Sequence, residues 1–196
     1  SETVVKSFEN QLDIRYLMAE NRGQGFSRNT GMAIAKGDFF VILDSDIIVP
    51  QHYLQTVYEG VAKHTLDCFG GPDKLHPSAT VFQKAVDFCM TSFWTTGGTR
   101  GKKTAVGTYH PRSFNMGVSR PVFDTTKGFK LPFKGEDIEW SSRIISAGFK
   151  TQLLPKAFVH HERKGTFAGF WKQINFFGQA RISIARLLKN TFKLLH

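Results

Sequence analysis

Asp44-Ser45-Asp46 places two carboxylates one residue apart at the end of Phe39-Phe40-Val41-Ile42-Leu43, a continuous apolar run of strand length. Such a run suits a buried parallel strand. In open α/β sheets, ligands gather beyond the carboxyl ends of the strands. Two carboxylates there form a hard-oxygen site suited to Mg²⁺ or Mn²⁺ bridging a diphosphate. A divalent ion in that position neutralises the charge that builds on a departing nucleoside diphosphate. Asp and Ser are also ordinary turn residues, so the tripeptide reads as a tight turn as well.

Two further groups carry chemistry. Gly135-Glu136-Asp137 stands just before a helical pattern, where acids favour the positive helix end. A carboxylate facing an acceptor hydroxyl there can instead remove its proton. The neighbours point different ways, so only one need face a substrate. His160 and His161 close a stretch that begins at Thr151. Adjacent strand residues face opposite sides, so one imidazole can reach a metal while the other packs or meets solvent.

The elements that must position these residues alternate between helix and strand. A short helical end over Val4 to Phe8 precedes a strand over Asp13 to Met18. Gly25-Phe26-Ser27 leads into a helix that runs through Ala35, with Ser27 as its N-cap and Gly37 ending it. After the apolar run, Pro50 opens a helix over His52 to Lys63. Cys68 to Gly71 reads as a strand, Thr80 to Met90 as a helix, and Ser92 to Tyr109 as a Gly/Thr/Lys/Arg-rich loop. Phe114 to Ser119 is a strand, Pro121 starts a helical turn, and Ile138 to Ala147 is a helix. Thr151 to His161 is a strand, and one long helix, kinked near Gly178, follows from Phe167. This alternation predicts an α/β domain with a mostly parallel sheet flanked by helices.

The chain has 196 residues, enough for one domain with an appended helix. Its formal charge of +10 favours polyanions: nucleic acid, anionic lipid or a diphosphate ligand. Cys68 and Cys89 are too few for a disulfide framework and fit a reducing cytoplasm. No stretch is long and apolar enough to span a bilayer. Phenylalanine is frequent, with 19 copies, many of them near the C-terminus.

The order of these motifs resembles the family 2 glycosyltransferases of the GT-A fold. Gly25-Phe26-Ser27-Arg28-Asn29-Thr30-Gly31, then Ala35-Lys36-Gly37-Asp38, then Leu43-Asp44-Ser45-Asp46 resemble the front of that pattern. Asn115-Met116-Gly117 resembles the acceptor-side strand, Gly135-Glu136-Asp137 the family's Glu-Asp pair, and Pro155 to His161 the strand that ends in a metal-reaching histidine. The resemblance implies an inverting transfer of a sugar from a nucleoside-diphosphate sugar, UDP-linked by preference, to a hydroxyl of a glycan or lipid-linked acceptor. It implies a divalent cation, Mn²⁺ or Mg²⁺, held by Asp46 and His161. It implies donor contacts from Arg28, Asn29, Asp44 and Ser45, and a catalytic role for Asp137 beside Glu136. Family members open with a donor-binding strand that has no counterpart here, because Ser1-Glu2-Thr3 matches the point just after their second strand. The expectation is a GT-A domain over residues 1–165, incomplete on its N-terminal side, and a basic amphipathic helix over 166–196.

That tail resembles enzymes that build bacterial exopolysaccharide and other surface glycans. It lacks the Gln-x-x-Arg-Trp signature of processive synthases, which favours single-sugar addition. Phe167, Phe170, Trp171, Ile174, Phe177, Ile184 and Leu188 recur at helical spacing, with Lys172, Arg181, Arg186, Lys189 and Lys193 supplying charge. Such a helix can lie in a membrane interface, at the inner face of the plasma membrane, or pack on protein. Two other classes compete. The Arg100-Gly101-Lys102-Lys103 cluster would serve a nucleic-acid-binding module, although no nucleic-acid motif accompanies it and no nucleic acid is expected as partner. A metal-dependent nucleotidyltransferase also uses paired aspartates but would show a glycine-rich phosphate loop.

Overall fold

A computed structural model describes residues 2–92 and 109–187. The Gly/Thr/Lys/Arg-rich loop with its Arg100–Lys103 cluster therefore lies outside the described residues, apart from its two ends. So do Leu188, Lys189 and Lys193. In chain order the elements are α1 (Glu2–Lys6), α2 (Gln24–Ile34), β1 (Phe39–Leu43), β2 (Ile47–Ile48), α3 (Tyr53–His64), β3 (Cys68–Gly70), β4 (Asp73–Leu75) and α4 (Val81–Thr91). They continue with β5 (Asn115–Ser119), α5 (Arg120–Thr126), α6 (Glu136–Ser146), β6 (Thr151–Leu153), β7 (Val159–His161) and α7 (Phe167–Leu187).

Two sheets form. The larger has the order β1-β5-β3-β6 and the smaller β2-β7-β4. Helices flank them, as the α/β expectation requires. The expected parallel direction does not hold throughout. β5 enters between β1 and β3 and runs antiparallel to both, and only β3–β6 and β4–β7 are parallel. The apolar run Phe39–Leu43 reports burial on both faces, which either direction can satisfy. One face carries Phe40, Ile42, Cys68, Met116 and Val118 against Met32, Val122, Trp140 and Ile144. The other carries Phe69 and Val159 against Tyr53, Val57 and Leu154, with Phe39 and Val41 at its margin. Gly117 faces Val41 and Phe69 in register, and a Cβ there would overlap the rings of Phe69 and Phe39. Those two rings stack at 6.1 Å.

Other boundaries move for identifiable reasons. Asp13–Met18 forms no strand, and Ile14, Tyr16, Leu17 and Met18 are exposed. A strand needs a ladder partner, and among the described residues none lies beside this segment. Ser27 is not an N-cap. Gly23 is, with φ 102°, and the Ser27 hydroxyl donates to the Gly23 carbonyl at 3.1 Å. The predicted strand over Thr151–His161 splits into β6 and β7, in different sheets, around the Pro155-Lys156 turn. Glu136 and Asp137 lie inside the first turn of α6 rather than ahead of it. The long C-terminal helix runs unbroken through Gly178. α4 covers the expected helix, and Thr80 and Gln83 start it with a reciprocal capping box.

A buried polar knot joins the layers. Tyr53 Oη donates to Asn115 Oδ1 at 2.5 Å, and Asn115 Nδ2 donates to the Ala157 carbonyl at 2.8 Å. It ties α3, β5 and the β6–β7 turn. Phe69 is fully buried at the centre of the second apolar cluster. Phe69→Ala is expected to cost about 3–5 kcal/mol, read as a lower urea midpoint with an unchanged slope.

Candidate active site

The small sheet is built from continuations of the large one. β1 leads into β2, β3 into β4, and β6 into β7. Asp44-Ser45-Asp46 is the turn that joins the first of these pairs, so the turn reading and the site reading describe the same atoms. β2 and β7 pair antiparallel with Ile47 opposite His161. That register brings His161 Nε2 to 3.5 Å from Asp46 Oδ2. His161 also packs on Phe114, ring centroids 5.8 Å apart. Its Nδ1 is buried without a hydrogen-bond partner. His160 faces the other way, with Nδ1 at 3.1 Å from the Leu75 carbonyl and its ring against Phe158.

The second half of the site converges on Arg28 of α2. Its Nη2 lies 2.6 Å from Asp44 Oδ1 and its Nη1 2.9 Å from Glu136 Oε1. Glu136 Oε1 also accepts from Gln24 Nε2 at 2.5 Å and from Ser113 Oγ at 3.2 Å. Glu136 is only 3% exposed. Its carboxylate is a buried hub joining α2, α6 and the segment before β5. Asp137 differs. Its Oδ1 accepts from its own helix at Ile138 N, 2.8 Å, and its Oδ2 lies 3.4 Å from Arg112 Nη1. One arginine and one capping bond hold it, and its side chain remains 15% exposed. The neighbouring acids thus have different surroundings.

The turn that launches them is strained and braced. Lys134 has φ 51° and Gly135 φ 85°. A left-handed lysine costs on the order of 1–2 kcal/mol and persists only where its surroundings hold it. On one side, α2 holds the segment that leads in. Gly25 N donates to the Pro132 carbonyl at 3.1 Å. Both ends of the Asn29 amide are committed to Phe129, Nδ2 to its carbonyl and Oδ1 from its N–H, each at 2.8 Å. Asn29 therefore shapes this segment by bonds to its backbone, a role that its motif position did not reveal. On the other side, Lys134 Nζ donates to Gln179 of α7 at 2.7 Å, and Ile184 closes over Gly135. Ser45 is exposed in the turn between Asp44 and Asp46.

Among the described residues no three His, Cys, Asp or Glu side chains gather as a metal cage. Asp46 and His161 form a pair. One hard oxygen and one imidazole are donor types that a divalent cation accepts, with its other ligands drawn from phosphate and water. Cys68 is not a competing nucleophile, because burial pushes its thiol up to about 12.

Sequence reading missed Arg112 and His110. Both follow the unperiodic loop, where no pattern marks them. His110 Nδ1 lies 2.9 Å from Ser141 Oγ on α6. Burial lowers its pKa from 6.5, Arg112 adds to that, and Asp137 opposes it. A histidine depressed in the fold binds protons more readily when unfolded. Its contribution is therefore full above pH 6.5 and is lost as pH falls below that value. His110→Gln should flatten that part of the stability–pH curve, read by urea unfolding between pH 7.5 and 5. The two acids should separate in the same assay. Glu136→Ala strands the groups that Gln24, Arg28 and Ser113 point at it, although Asp44 still pairs with Arg28, and should cost about 1–3 kcal/mol, whereas Asp137→Asn should cost under about 1 kcal/mol.

Residues 2–175 match the family model described as glycosyltransferase like family 2. Glycosyltransferase GlyA of Streptococcus pneumoniae serotype 4 is 22% identical over 188 residues, 82% of this chain and 24% of that protein. Glycosyltransferase GlyG of the same organism is 30% identical over 82 residues, 39% of this chain and 27% of that protein. The fold is similar to mannosyltransferase PcManGT from Pyrobaculum calidifontis, solved with GDP-Man and Mn²⁺. That match has a TM-score of 0.64 at 17% identity and covers 94% of this chain and 51% of that one. It is also similar to S. aureus TarS 1–349 with UDP-GlcNAc, with a TM-score of 0.59 at 15% identity, covering 98% and 55%. The chain spans about a quarter of the length of these curated relatives and about half of these solved chains. Because that family match spans residues 2–175, well over half of the chain, the chain belongs to glycosyltransferase family 2, and it has the GT-A fold.

Proposed function

We propose that the chain is the catalytic domain of an inverting, metal-dependent glycosyltransferase that moves one sugar from a nucleoside-diphosphate donor to a hydroxyl. The observation that carries this reading is the meeting of His161 with Asp46 beside the Arg28–Asp44–Glu136 bridge. Three stretches distant in sequence thereby share one edge of the sheets. The donors in the two related solved complexes, GDP-Man with Mn²⁺ and UDP-GlcNAc, support a nucleotide-sugar substrate for this chain.

In this reading Asp46 and His161 hold the cation, Mn²⁺ or Mg²⁺. When bound, that ion supplies positive charge to the leaving diphosphate. Asp44, Ser45 and Arg28 serve the donor, with UDP the first nucleotide to test. Arg28 is already engaged by Asp44 and Glu136, so it sets the position of Asp44 as well as the local charge. Asn29 contributes by fixing the segment at Phe129. Asp137 takes the proton of the acceptor hydroxyl while that oxygen forms its bond to the anomeric carbon and the nucleoside diphosphate departs from the opposite face. Glu136 anchors the first turn of α6 so that Asp137 faces outward. The acceptor is a glycan or a lipid-linked saccharide of a bacterial surface polymer. Peripheral contact through α7, at the inner face of the plasma membrane, belongs to the same reading.

The test is a donor screen of the full-length protein with Mn²⁺, scoring release of UDP or GDP. Chelation should abolish turnover and Mn²⁺ restore it. Asp46→Ala and Asp137→Ala should each lower kcat by about 100-fold or more. An Asp137→Ala enzyme within about threefold of the parent would remove the proposed base.

A further inference from the structure

α7 has two working faces. Its inner face holds the active-site turn: Ala180 and Ile184 are buried, Ile184 closes over Gly135, and Gln179 takes the Lys134 ammonium. Lys134 also lies 5.5 Å above the Phe176 ring. The outer face carries Phe167, Trp171, Ile174 and Ile182, which fall on one side of a helix at three- and four-residue steps. These side chains are 69%, 62%, 43% and 57% exposed. Lys172 and Arg186 flank the stripe on one side and Arg181 on the other.

Charge identifies what covers the stripe. From Lys164 to His196 the chain has six Lys and Arg and no Asp or Glu. A basic helix with an aromatic stripe suits a surface that offers negative charge in front of an apolar layer. The described helices include none long and apolar enough to cross a membrane, so contact is by lying on the surface.

We propose that the outer face of α7 docks in the interface of an anionic membrane, and that its inner face passes this contact to the Lys134–Gly135 turn, so that docking orders Glu136 and Asp137. The physical link is short. The turn is left-handed at two consecutive residues and depends on α7 for part of its support. Anything that fixes α7 reduces the freedom of that turn. The lipid surface then both anchors the chain and readies its acceptor side, which suits an acceptor carried by that surface. This inference rests on the reading of Asp137 as the acceptor-side group, and its readouts do not use turnover, so the two fail separately.

The experiment uses the full chain with vesicles of phosphatidylcholine alone or with about 30% phosphatidylglycerol, at low salt. Sedimentation gives binding, and amide exchange follows residues 134–138. Wild type should favour the anionic vesicles by about tenfold or more, with slower exchange at 134–138 when bound. Trp171→Ser combined with Ile174→Ser, both exposed positions, should lose binding and keep the native fold by circular dichroism. Ile184→Ala should keep binding and lose the slowing. Equal binding to both vesicles, or wild-type binding by the double variant, overturns the docking. Binding without any change at 134–138 overturns the coupling. A dimer in light scattering that the double variant dissociates would assign the stripe to a second copy and overturn the membrane as occupant.

Discussion

One guanidinium sets the frame of the site. Arg28 sits between Asp44, which follows β1, and Glu136, which begins α6. Bringing two carboxylates to one edge of a sheet is unfavourable unless a cation stands between them, and burial raises that cost. Arg28 meets the requirement from α2, whose place is fixed by Met32 in the core and by backbone bonds to Phe129 and Pro132. Its planar fork suits two carboxylates in different directions better than an ammonium would. The placing of the turn after β1 and of the first turn of α6 therefore depends on one side chain. Glu136 is buried in this bridge through its Oε1, whereas Asp137 beside it stays partly exposed.

Much of this was legible in the sequence, for specific reasons. Phe39–Leu43 announces burial on both faces, and the carboxylates after it fall where a strand ends, so Asp44 and Asp46 could be singled out. The helix over Thr80 to Met90 is read from its pattern, and the structure adds the capping box of Thr80 and Gln83 that starts it. What was hidden depends on long-range pairing. The direction of β5 is set by where the chain re-enters after an unperiodic stretch. Two- and three-residue strands such as β2 and β4 carry no period to detect. A strand signal over Asp13–Met18 is only a local preference, and without a neighbour the backbone does not realise it. The different surroundings of Glu136 and Asp137 follow from Gln24, Arg28, Ser113 and Arg112, none of which is near them in sequence.

The junction between the sheets explains why accessible polar side chains can collect here. Three strands of the large sheet each continue into a strand of the small one, and each junction must turn. Turns expose backbone and tolerate polar residues, whereas the strands on either side are fixed by ladders and apolar packing. The first junction supplies Asp44 and Asp46. The end of β7, paired beside it, supplies His161. Short polar segments held by rigid neighbours give side chains that are both accessible and well placed.

The Asn115 knot has a consequence for how this molecule comes apart. Asn115 opens the central strand of the large sheet, and its amide grips both Tyr53 and the turn that feeds β7. The small sheet cannot peel away without stranding buried polar groups of the large one, each costing on the order of 1–3 kcal/mol. Partial opening is thus discouraged, and the two sheets should melt as one cooperative unit. An ion gripped between Asp46 and His161 would then raise the melting temperature of the whole unit, which makes calorimetry a sensor of that grip even before any substrate is known.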